Sequence, residues 1–332
     1  MGKTFGNLAT LGESRLYTIS CGRVRAEITN YGAALVSLFV GGLDVVLGYD
    51  DVSGYEAQGG YLGAVVGRNA NRIGSSKFLL NGEEVLLPAN EGRNNLHSGV
   101  NGWSFRLWEV KTCTDSSLTL SLHSPHGDQG FPGNAEVSVT YTIEDDALVI
   151  AYEALSDRDT VFNLTNHAYF NLYGQHRPEK AMEQELMVPG ELFCPDDAEN
   201  IPTGELRSVE GTPFDFRSFK AIGRDIGADY EPLHLQGGYD HNYVNNGAVC
   251  AVLRNPESGL TMTVTTDCPG VQVYAGNFLD NVGKGGVRYG KRTGVALETQ
   301  FYPDAVNHPE WPQPFVKAGE KYRSVTKYAF SL

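Results

Sequence analysis

The sequence predicts an all-β fold, a large antiparallel β-sandwich, from three observations. Apolar and polar residues alternate with a period of two in several segments, as expected for strands that bury one face. No long amphipathic helix stands out anywhere in the chain. Glycine contributes 39 of 332 residues, about 12% against a typical value near 7%, which indicates many tight turns between short elements.

The alternation is clearest in three segments, and each contributes one row of apolar side chains. The rows are Leu118, Leu120 and Leu122; Ala135, Val137, Val139, Tyr141 and Ile143; and Leu260, Met262 and Val264. We expect each row to face a core. The apolar run 33–40 fits a strand or a helix by periodicity alone, but its length and the nearby glycines favour a strand buried on both faces.

Local signals punctuate these strands. Asn81 and Gly82 tolerate positive φ and lie between two apolar runs, which predicts a hairpin with a type I′ turn. A short helix over 52–57 is predicted, with Asp51 as its N-cap. Residues 191–239 are turn-rich and irregular, and a loop of this length in an all-β protein usually caps something. Because no linker, repeat or low-complexity tract appears, residues 1–332 are predicted to form a single domain.

Composition and charge exclude several classes of protein. Hydrophobic residues make up 41% and charged residues 20%, which is typical of a soluble globular chain. No apolar run reaches the roughly 18 residues that a membrane span requires. Lys and Arg total 26 against 40 Asp and Glu, and the net charge of −14 disfavours nucleic acid and anionic membranes as partners.

The cysteines and the N-terminus indicate the cellular setting. The five cysteines are odd in number and never form a Cys-x-x-Cys pair, which argues against a disulfide framework and a zinc knuckle. The first residues lead into polar sequence without an apolar leader. We therefore expect a reducing, cytoplasmic location.

Familiar catalytic and metal motifs are incomplete. Residues 285–291 match most of a phosphate-binding loop, but Arg292 stands where Ser or Thr would contact magnesium, so a glycine-rich hairpin is favoured. His123 and His126 lie beside a proline and a glycine, which favours a turn with solvated side chains over a metal site. No metal ligands are predicted. Serine-hydrolase and zincin signatures are absent.

Four polar clusters interrupt apolar surroundings. The segment 94–99 reads, on its own, as a loop. His167 lies within an apolar aromatic run, where a polar group must be paired or functional, and a structural and a catalytic histidine fit equally well. Asp240 adjoins a histidine and a tyrosine at the end of the irregular segment. Glu298 lies in an apolar strand, so burial is expected to raise its pKa; the alternative is an ion pair with an arginine.

Taken together, these residue types suit a sugar site. Carboxylates, amides, histidines and an arginine provide partners for several hydroxyl groups, and aromatic rings provide a surface for the C–H face of a sugar. A carboxylate and an imidazole with pKa values near neutrality would supply a general acid–base pair.

Six motifs, in order over nearly the whole chain, resemble those of the aldose 1-epimerase (galactose mutarotase) family. They occupy residues 67–73, 95–97, 166–172, 240–242, 269–278 and 297–300. The resemblance implies a single-domain supersandwich of the galactose mutarotase-like type, without metal or organic cofactor. It also implies interconversion of the α and β anomers of aldohexoses such as galactose and glucose. The implied partner is a small-molecule sugar, and the protein is expected to be a monomer or a homodimer.

Position by position, the resemblance assigns roles to seven residues. Glu298 matches the family's general base and His167 its general acid. The sugar-binding residues that it implies are His97, Asp240, Arg72, Asn71 and Gln272. Arg72 is chosen over Arg68 because it precedes His97 by the family's spacing (97 − 72 = 25).

The implied reaction opens the sugar ring and closes it again. Glu298 removes the proton of the anomeric hydroxyl while His167, as imidazolium, protonates the ring oxygen. This requires a protonated His167, which a nearby carboxylate such as Asp240 or Glu298 would favour by raising its pKa. A bell-shaped pH profile is expected.

Three other functions remain open from the sequence. Glu298 and Asp240 could be the paired carboxylates of a glycosidase. The same sandwich could be a carbohydrate-binding module without catalysis. Epimerisation of hexose 6-phosphates would require more cations than Arg72 alone, and the net charge of −14 disfavours an anionic substrate. The preferred aldose is not fixed by the motifs.

Overall fold

Alternating burial along the strands organises the computed structural model, which describes residues 2–332 apart from the side chain of Gln58. In Ala135–Glu144, every second side chain is buried, and the same pattern runs through Lys321–Ser331. The row predicted from Ala135 to Ile143 is buried throughout. Since side chains on successive strand residues point to opposite faces, this pattern places one face of each strand against a core.

Three sheets carry most of the fold within residues 2–332, and every strand ladder is antiparallel. The N-terminal sheet contains, in order, Lys3–Leu8, Gly12–Cys21, Val24–Thr29, Leu35–Val40 and Leu43–Asp44. The large sheet contains Glu109–Cys113, Ser117–Ser124, Ala135–Glu144, Ala147–Ser156, Lys321–Ser331, Thr261–Thr266, Val249–Arg254, Glu185–Met187 and Lys220–Ala221. The site sheet contains Tyr169–Phe170, Val295–Gln300, Gly270–Tyr274, Asp240–Val244, Leu192–Phe193 and Arg207–Ser208.

Short ladders and helices connect the three sheets. The paired strands are Val65–Val66 with Thr165–Asn166, Arg72–Ile73 with Asn95–Leu96, Lys77–Leu80 with Glu83–Leu86, Thr160–Val161 with Phe315–Val316, and Asn281–Val282 with Arg288–Tyr289. The α-helices are Val52–Gln58 and Glu231–Gln236. The 3₁₀ turns are Gly74–Ser76, Trp103–Phe105, Asp128–Gly130, Pro178–Glu183, Lys284–Gly286 and Ala305–Asn307.

The core lies between the large sheet on one side and the N-terminal and site sheets on the other. One cluster of buried side chains includes Ile19 of the N-terminal sheet, Tyr328 of the large sheet and Val273 of the site sheet. Tyr141 ties the layers together, because its hydroxyl donates to the carbonyl of Ala33 at 2.7 Å and accepts from the Asn166 amide at 3.1 Å. The predicted antiparallel sandwich is confirmed.

Several local predictions are confirmed as well. Asn81 and Gly82 adopt φ values of 53° and 85° between two paired strands, as a type I′ turn requires. The Asp51 carboxylate caps the first helix by accepting from the backbone N–H of Ser53 at 2.8 Å. Residues 285–289 lie in a small glycine-rich hairpin, and residues 290–291 follow it directly. No helix of the described residues is long and apolar enough to cross a membrane.

A buried lysine joins this hairpin to the N-terminal sheet. The Lys284 ammonium donates to the carbonyls of Val36 and Val46, to the hydroxyl of Ser37 and to the carboxylate of Asp44, at 2.7 to 3.0 Å. Burial lowers the pKa of Lys284, and the Asp44 carboxylate opposes this effect. Because ammonium and carboxylate are both largely shielded from water, neither is compensated without the other.

Replacing Lys284 by methionine is expected to destabilise the protein by about 3–5 kcal/mol, because Asp44 would be left as a buried unpaired charge. Urea denaturation measures the change. Lys291→Met is the control: this exposed lysine lies in the same region of the chain, and its replacement is expected to change stability by no more than about 0.5 kcal/mol. Equal effects of the two substitutions would contradict the prediction.

Candidate active site

Strand register brings a carboxylate to the surface of the site sheet that faces away from the core. In Val295–Gln300, Val295 and Leu297 belong to the main core cluster, so Glu298 points to the opposite face. Its Cα partner on the next strand is Gln272. This residue also points away from the core, because its neighbours Val271 and Val273 face the core. The residues on this outer face therefore meet above the sheet.

The same register separates Asp240 from its neighbour His241. Asp240 pairs with Tyr274 and lies on the outer face, where its carboxylate accepts from the Gln272 amide at 2.7 Å. His241 points into the core and packs against Phe214, with ring centroids 4.7 Å apart. Burial lowers the pKa of His241 to about 3. This histidine is therefore a neutral core residue rather than part of the cavity.

Two further histidines approach Glu298 from connecting segments. His167 follows Thr165–Asn166, and its backbone N–H donates to the carbonyl of Ala64 at 2.9 Å. His97 follows Asn95–Leu96, and its backbone N–H donates to the carbonyl of Asn71 at 3.0 Å. Short ladders thus fix both rings against the site sheet.

The tautomer of His97 follows from one hydrogen bond. The backbone N–H of Asn71 donates to His97 Nδ1 at 3.0 Å, so this nitrogen is the unprotonated acceptor. Burial, with smaller contributions from His167 and Arg72, lowers the pKa of His97 well below its usual value. His97 is therefore neutral and carries its proton on Nε2.

A cavity of about 510 Å³ opens above these residues. Of the seven site residues expected from the sequence, it is lined by Asn71, Arg72, His97, His167, Asp240 and Glu298. The remaining one, Gln272, is buried behind Asp240 and does not line the cavity. Its amide contacts the Asp240 carboxylate and would act on a ligand through that residue.

An imidazole and a carboxyl group lie next to each other in the cavity. His167 Nε2 lies 3.6 Å from Glu298 Oε1, and only 2% of Glu298 is exposed. Glu298 Oε2 and His167 Nδ1 have no hydrogen-bond partner among the described residues. An acid and a base are therefore side by side, and one oxygen of the buried carboxyl group is without a partner among the described residues.

Burial shifts the pKa values of both His167 and Glu298 so that the neutral form of each is favoured. It raises the pKa of Glu298 well above its usual value, assisted by the charge of Asp240 and opposed by Arg72, as expected from the sequence. It lowers the pKa of His167 to about 4. The expectation that a carboxylate raises the pKa of His167 is therefore wrong: desolvation of the buried ring lowers this pKa, and the opposing contribution comes from a hydrogen bond with the backbone.

Arg72 is the centre of charge in the cavity. Its guanidinium is bonded to Glu91 through Nε at 2.5 Å and Nη2 at 2.8 Å. Burial also raises the pKa of Asp240, and Arg72 and Gln272 oppose this shift. Arg72 therefore favours the ionised forms of both Asp240 and Glu298.

Aromatic rings form the walls around His167. The Tyr61 ring is nearly parallel to the imidazole at 5.8 Å, and Tyr169 and Tyr274 lie at 4.9 and 6.2 Å. Phe278 stands at the rim with 71% of its surface exposed. These rings offer apolar faces to a ligand whose polar groups reach Arg72 and Asp240.

Sequence reasoning did not assign Tyr61, Glu91 or Tyr274 to the site. Tyr274 carried a signal, because it is two residues from Gln272 on the same strand and therefore shares its face. Tyr61 and Glu91 lie in irregular segments, where no periodicity indicates direction.

The ligand-type atoms of His97, His167 and Glu298 all lie within 4.8 Å of one another. Such a group could hold a metal ion through one nitrogen of each ring and a carboxylate oxygen. The absence of a metal therefore stays a prediction, and it is tested below.

Comparison with known proteins gives a consistent result. The family model of aldose 1-epimerase matches residues 15–329. The chain is 39% identical to galactose mutarotase of Bos taurus, with 99% of this chain and 97% of that protein aligned. It is 40% identical to aldose 1-epimerase of Haemophilus influenzae, with 92% of both covered.

Solved structures agree with these sequence relatives. The aldose epimerase homologue from C. elegans superposes with a TM-score of 0.88 at 33% identity, covering 96% of this chain and 99% of that one. Galactose 1-epimerase from Lactobacillus acidophilus gives 0.88 at 26% identity, covering 100% and 98%. The resemblance identified from sequence motifs is confirmed, and the chain belongs to the aldose 1-epimerase family of isomerases, which interconvert sugar anomers.

Proposed function

We propose that galactose, and after it glucose, are the sugars on which this isomerase acts, with Glu298 as general base and His167 as general acid. The observation that supports this assignment is the distance of 3.6 Å between His167 Nε2 and Glu298 Oε1 inside the cavity. The names of the mammalian relatives, galactose mutarotases, support the choice of sugar.

Ring opening moves two protons. Glu298 takes the proton of the anomeric hydroxyl, the bond between C1 and the ring oxygen breaks, and His167 gives its proton to that oxygen. The product is the open-chain aldehyde. After rotation about the bond between C1 and C2, His167 takes the proton back and the ring oxygen attacks the other face of the carbonyl. Glu298 then returns its proton to the oxygen on C1.

The geometry suits this reaction better than glycoside cleavage. The anomeric and ring oxygens are both bonded to C1, so a base and an acid that serve them must lie close together on one side of the sugar. His167 and Glu298 satisfy this requirement. A glycosidase needs two carboxyl groups that flank the scissile bond, and although Asp240 and Glu298 both line the cavity, the family match favours the epimerase.

The other cavity residues are proposed to bind the sugar. His97 would donate from Nε2 to a hydroxyl, and Asn71, Arg72 and Asp240 would complete the polar contacts. Gln272 is proposed to orient the Asp240 carboxylate, to which it donates a hydrogen bond.

The reacting form is a tautomer of the neutral pair. Neutral His167 with protonated Glu298, and imidazolium with carboxylate, contain the same number of protons. Burial favours the first form. Hydrogen bonds from sugar hydroxyls to the Glu298 carboxylate, which lines the cavity, are proposed to favour the second.

We further propose a cytoplasmic, single-domain monomer or homodimer that has no nucleic-acid or membrane partner. All five cysteines are free thiols, and Cys21 and Cys113 are exposed, which suits a reducing compartment. The net charge of −14 disfavours polyanions. One core cluster contains residues from the N-terminal sheet, the large sheet and the site sheet, which supports a single domain over residues 1–332.

Glu298→Gln is expected to lower kcat for mutarotation of α-D-galactose by about 10²–10⁴-fold, because the shape of the residue is kept and the base is removed. Polarimetry of freshly dissolved sugar measures the rate. Glu153→Gln, on the exposed face of the large sheet, is the matched control and is expected to be fully active. Since the two groups act as a unit, Glu298→Gln combined with His167→Gln should be no slower than either alone. A rate within a few-fold of wild type would refute the assignment.

The pH dependence of kcat/KM is expected to be bell-shaped. Activity requires one proton on the pair, so it falls below pH 4, where a second proton binds near the lowered pKa of His167. It falls again as the pH rises through the raised pKa of Glu298, where the last proton of the pair is lost. The rates are corrected for spontaneous mutarotation, and circular dichroism checks the fold at each pH. An enzymatic rate that falls on neither side would contradict the pair.

Metal removal is expected to leave the rate unchanged, because proton transfer between Glu298, the sugar and His167 needs no Lewis acid. The protein is dialysed against EDTA, analysed for residual metal and assayed by polarimetry. Loss of activity that Zn²⁺ restores would instead assign the group formed by His97, His167 and Glu298 to a metal.

A further inference from the structure

Acidic side chains outnumber basic ones among the residues that line the cavity. Arg72 is the only lysine or arginine among the described residues of the lining. Four carboxyl groups, those of Glu91, Asp240, Asp280 and Glu298, line it as well. Asp280 lies at the exposed rim and pairs with Arg288 at 2.7 Å, outside the lining. The ion pairing of Arg72 therefore determines how strongly the cavity attracts or repels a charged ligand.

Glu91 engages Arg72 through both carboxylate oxygens. Nε contacts Oε2 at 2.5 Å and Nη2 contacts Oε1 at 2.8 Å, the parallel arrangement that matches a guanidinium to a carboxylate. The Arg72 side chain is only 11% exposed, so this pair is shielded from water on the arginine side. Three of the five N–H groups of the guanidinium remain for other partners.

The loop that carries Glu91 is closed by its own hydrogen bonds. The backbone N–H of Glu91 donates to the carbonyl of Asn94 at 3.2 Å, and the reverse bond measures 2.9 Å. The side chain of Asn90 accepts from the backbone of Leu96 at 2.8 Å and donates to it at 3.0 Å. Glu91 is thus held in place by the segment that leads to His97.

We propose that Glu91, by neutralising Arg72, makes the cavity selective for uncharged aldoses and excludes hexuronates and sugar phosphates. This inference rests on the proposed function and names the residue that determines the charge of its substrate. Glu91 is a positioning and selectivity residue, since it acts through Arg72 and not on the reacting atoms.

The physical reason is the cost of desolvation. An anionic sugar loses its hydration on entering the cavity and needs an uncompensated cation in return. Arg72 already has a carboxylate on two of its donors, and Asp240 adds a further acidic group nearby. A neutral sugar loses only hydroxyl hydration, which hydrogen bonds replace.

The first experiment uses wild-type protein and two sugars of the same shape. D-galacturonate carries a charge at C6 and D-galacturonamide does not. We expect kcat/KM for mutarotation to be about tenfold or more higher for the amide, the size of effect that one charge produces at short range in a partly shielded site. Galactose 6-phosphate is expected to behave like galacturonate. Equal values for the acid and the amide would overturn the proposal.

The second experiment compares Glu91→Gln with Glu84→Gln. Glu84 pairs with Lys77 at 2.8 Å on an exposed hairpin, so its replacement changes the net charge equally without touching the cavity. Glu91→Gln is expected to raise the ratio of kcat/KM for galacturonate over galacturonamide by about tenfold, and Glu84→Gln to leave it unchanged. A merely structural role of Glu91 would lower both rates equally and leave the ratio as it was, which would overturn the proposal.

Assays with galactose distinguish failure of the proposed function from failure of the proposed role of Glu91. If wild-type protein does not accelerate mutarotation of galactose, the proposed substrate is wrong, and the proposed role of Glu91 in selecting it is refuted as well. If galactose is turned over but the acid and the amide are treated alike, the proposed function stands and the role of Glu91 is refuted.

Discussion

The antiparallel register between Gly270–Tyr274 and Val295–Gln300 is the constraint on which the cavity depends. A shift by one residue would turn Glu298 into the core and Leu297 into the cavity, because strand side chains alternate between faces. The apolar side chains on the core face of these strands oppose such a shift, because it would move them out of the core. They are Val271, Val273, Val295 and Leu297. Thr299 adds a hydroxyl contact of 2.5 Å with Thr326 of the large sheet. The position of the carboxyl is therefore fixed by apolar packing on the opposite face of the same strand.

Burial then determines the protonation of the groups that the register assembles. Withdrawal from water disfavours any charged form, so it raises the pKa of Glu298 and lowers that of His167 at the same time. Arg72 is the countervailing influence, since it favours the carboxylates of both Glu298 and Asp240. Burial therefore favours the neutral form of the pair, and Arg72 favours the carboxylate that the ionic tautomer contains.

The sequence predicted the fold class and seven site residues, six of which line the cavity, for different reasons. Alternation predicted the strands because one-sided burial leaves a period of two, and the six motifs predicted His167 and Glu298. Neither source predicted the low pKa of His167, which comes from burial of its ring, against Tyr61 from another segment and against its near neighbour Tyr169. Glu91 was missed because its partner Arg72 is 19 residues away and no periodicity relates them. Gln272 was found on the correct strand face but lies behind Asp240.

Arg72 meets two requirements that conflict. Glu298 and Asp240 are shielded from water, and a nearby cation favours their ionised forms by lowering their pKa values. The same cation, unpaired, would attract anions from solution into a site that must take an uncharged sugar. On the inference drawn above, the bidentate carboxylate of Glu91 resolves this conflict, because it occupies two donors of the guanidinium and leaves three N–H groups for other partners. The acidic balance of the lining is then compatible with catalysis, since hydroxyl groups of a neutral substrate donate to carboxylates and meet no opposing charge.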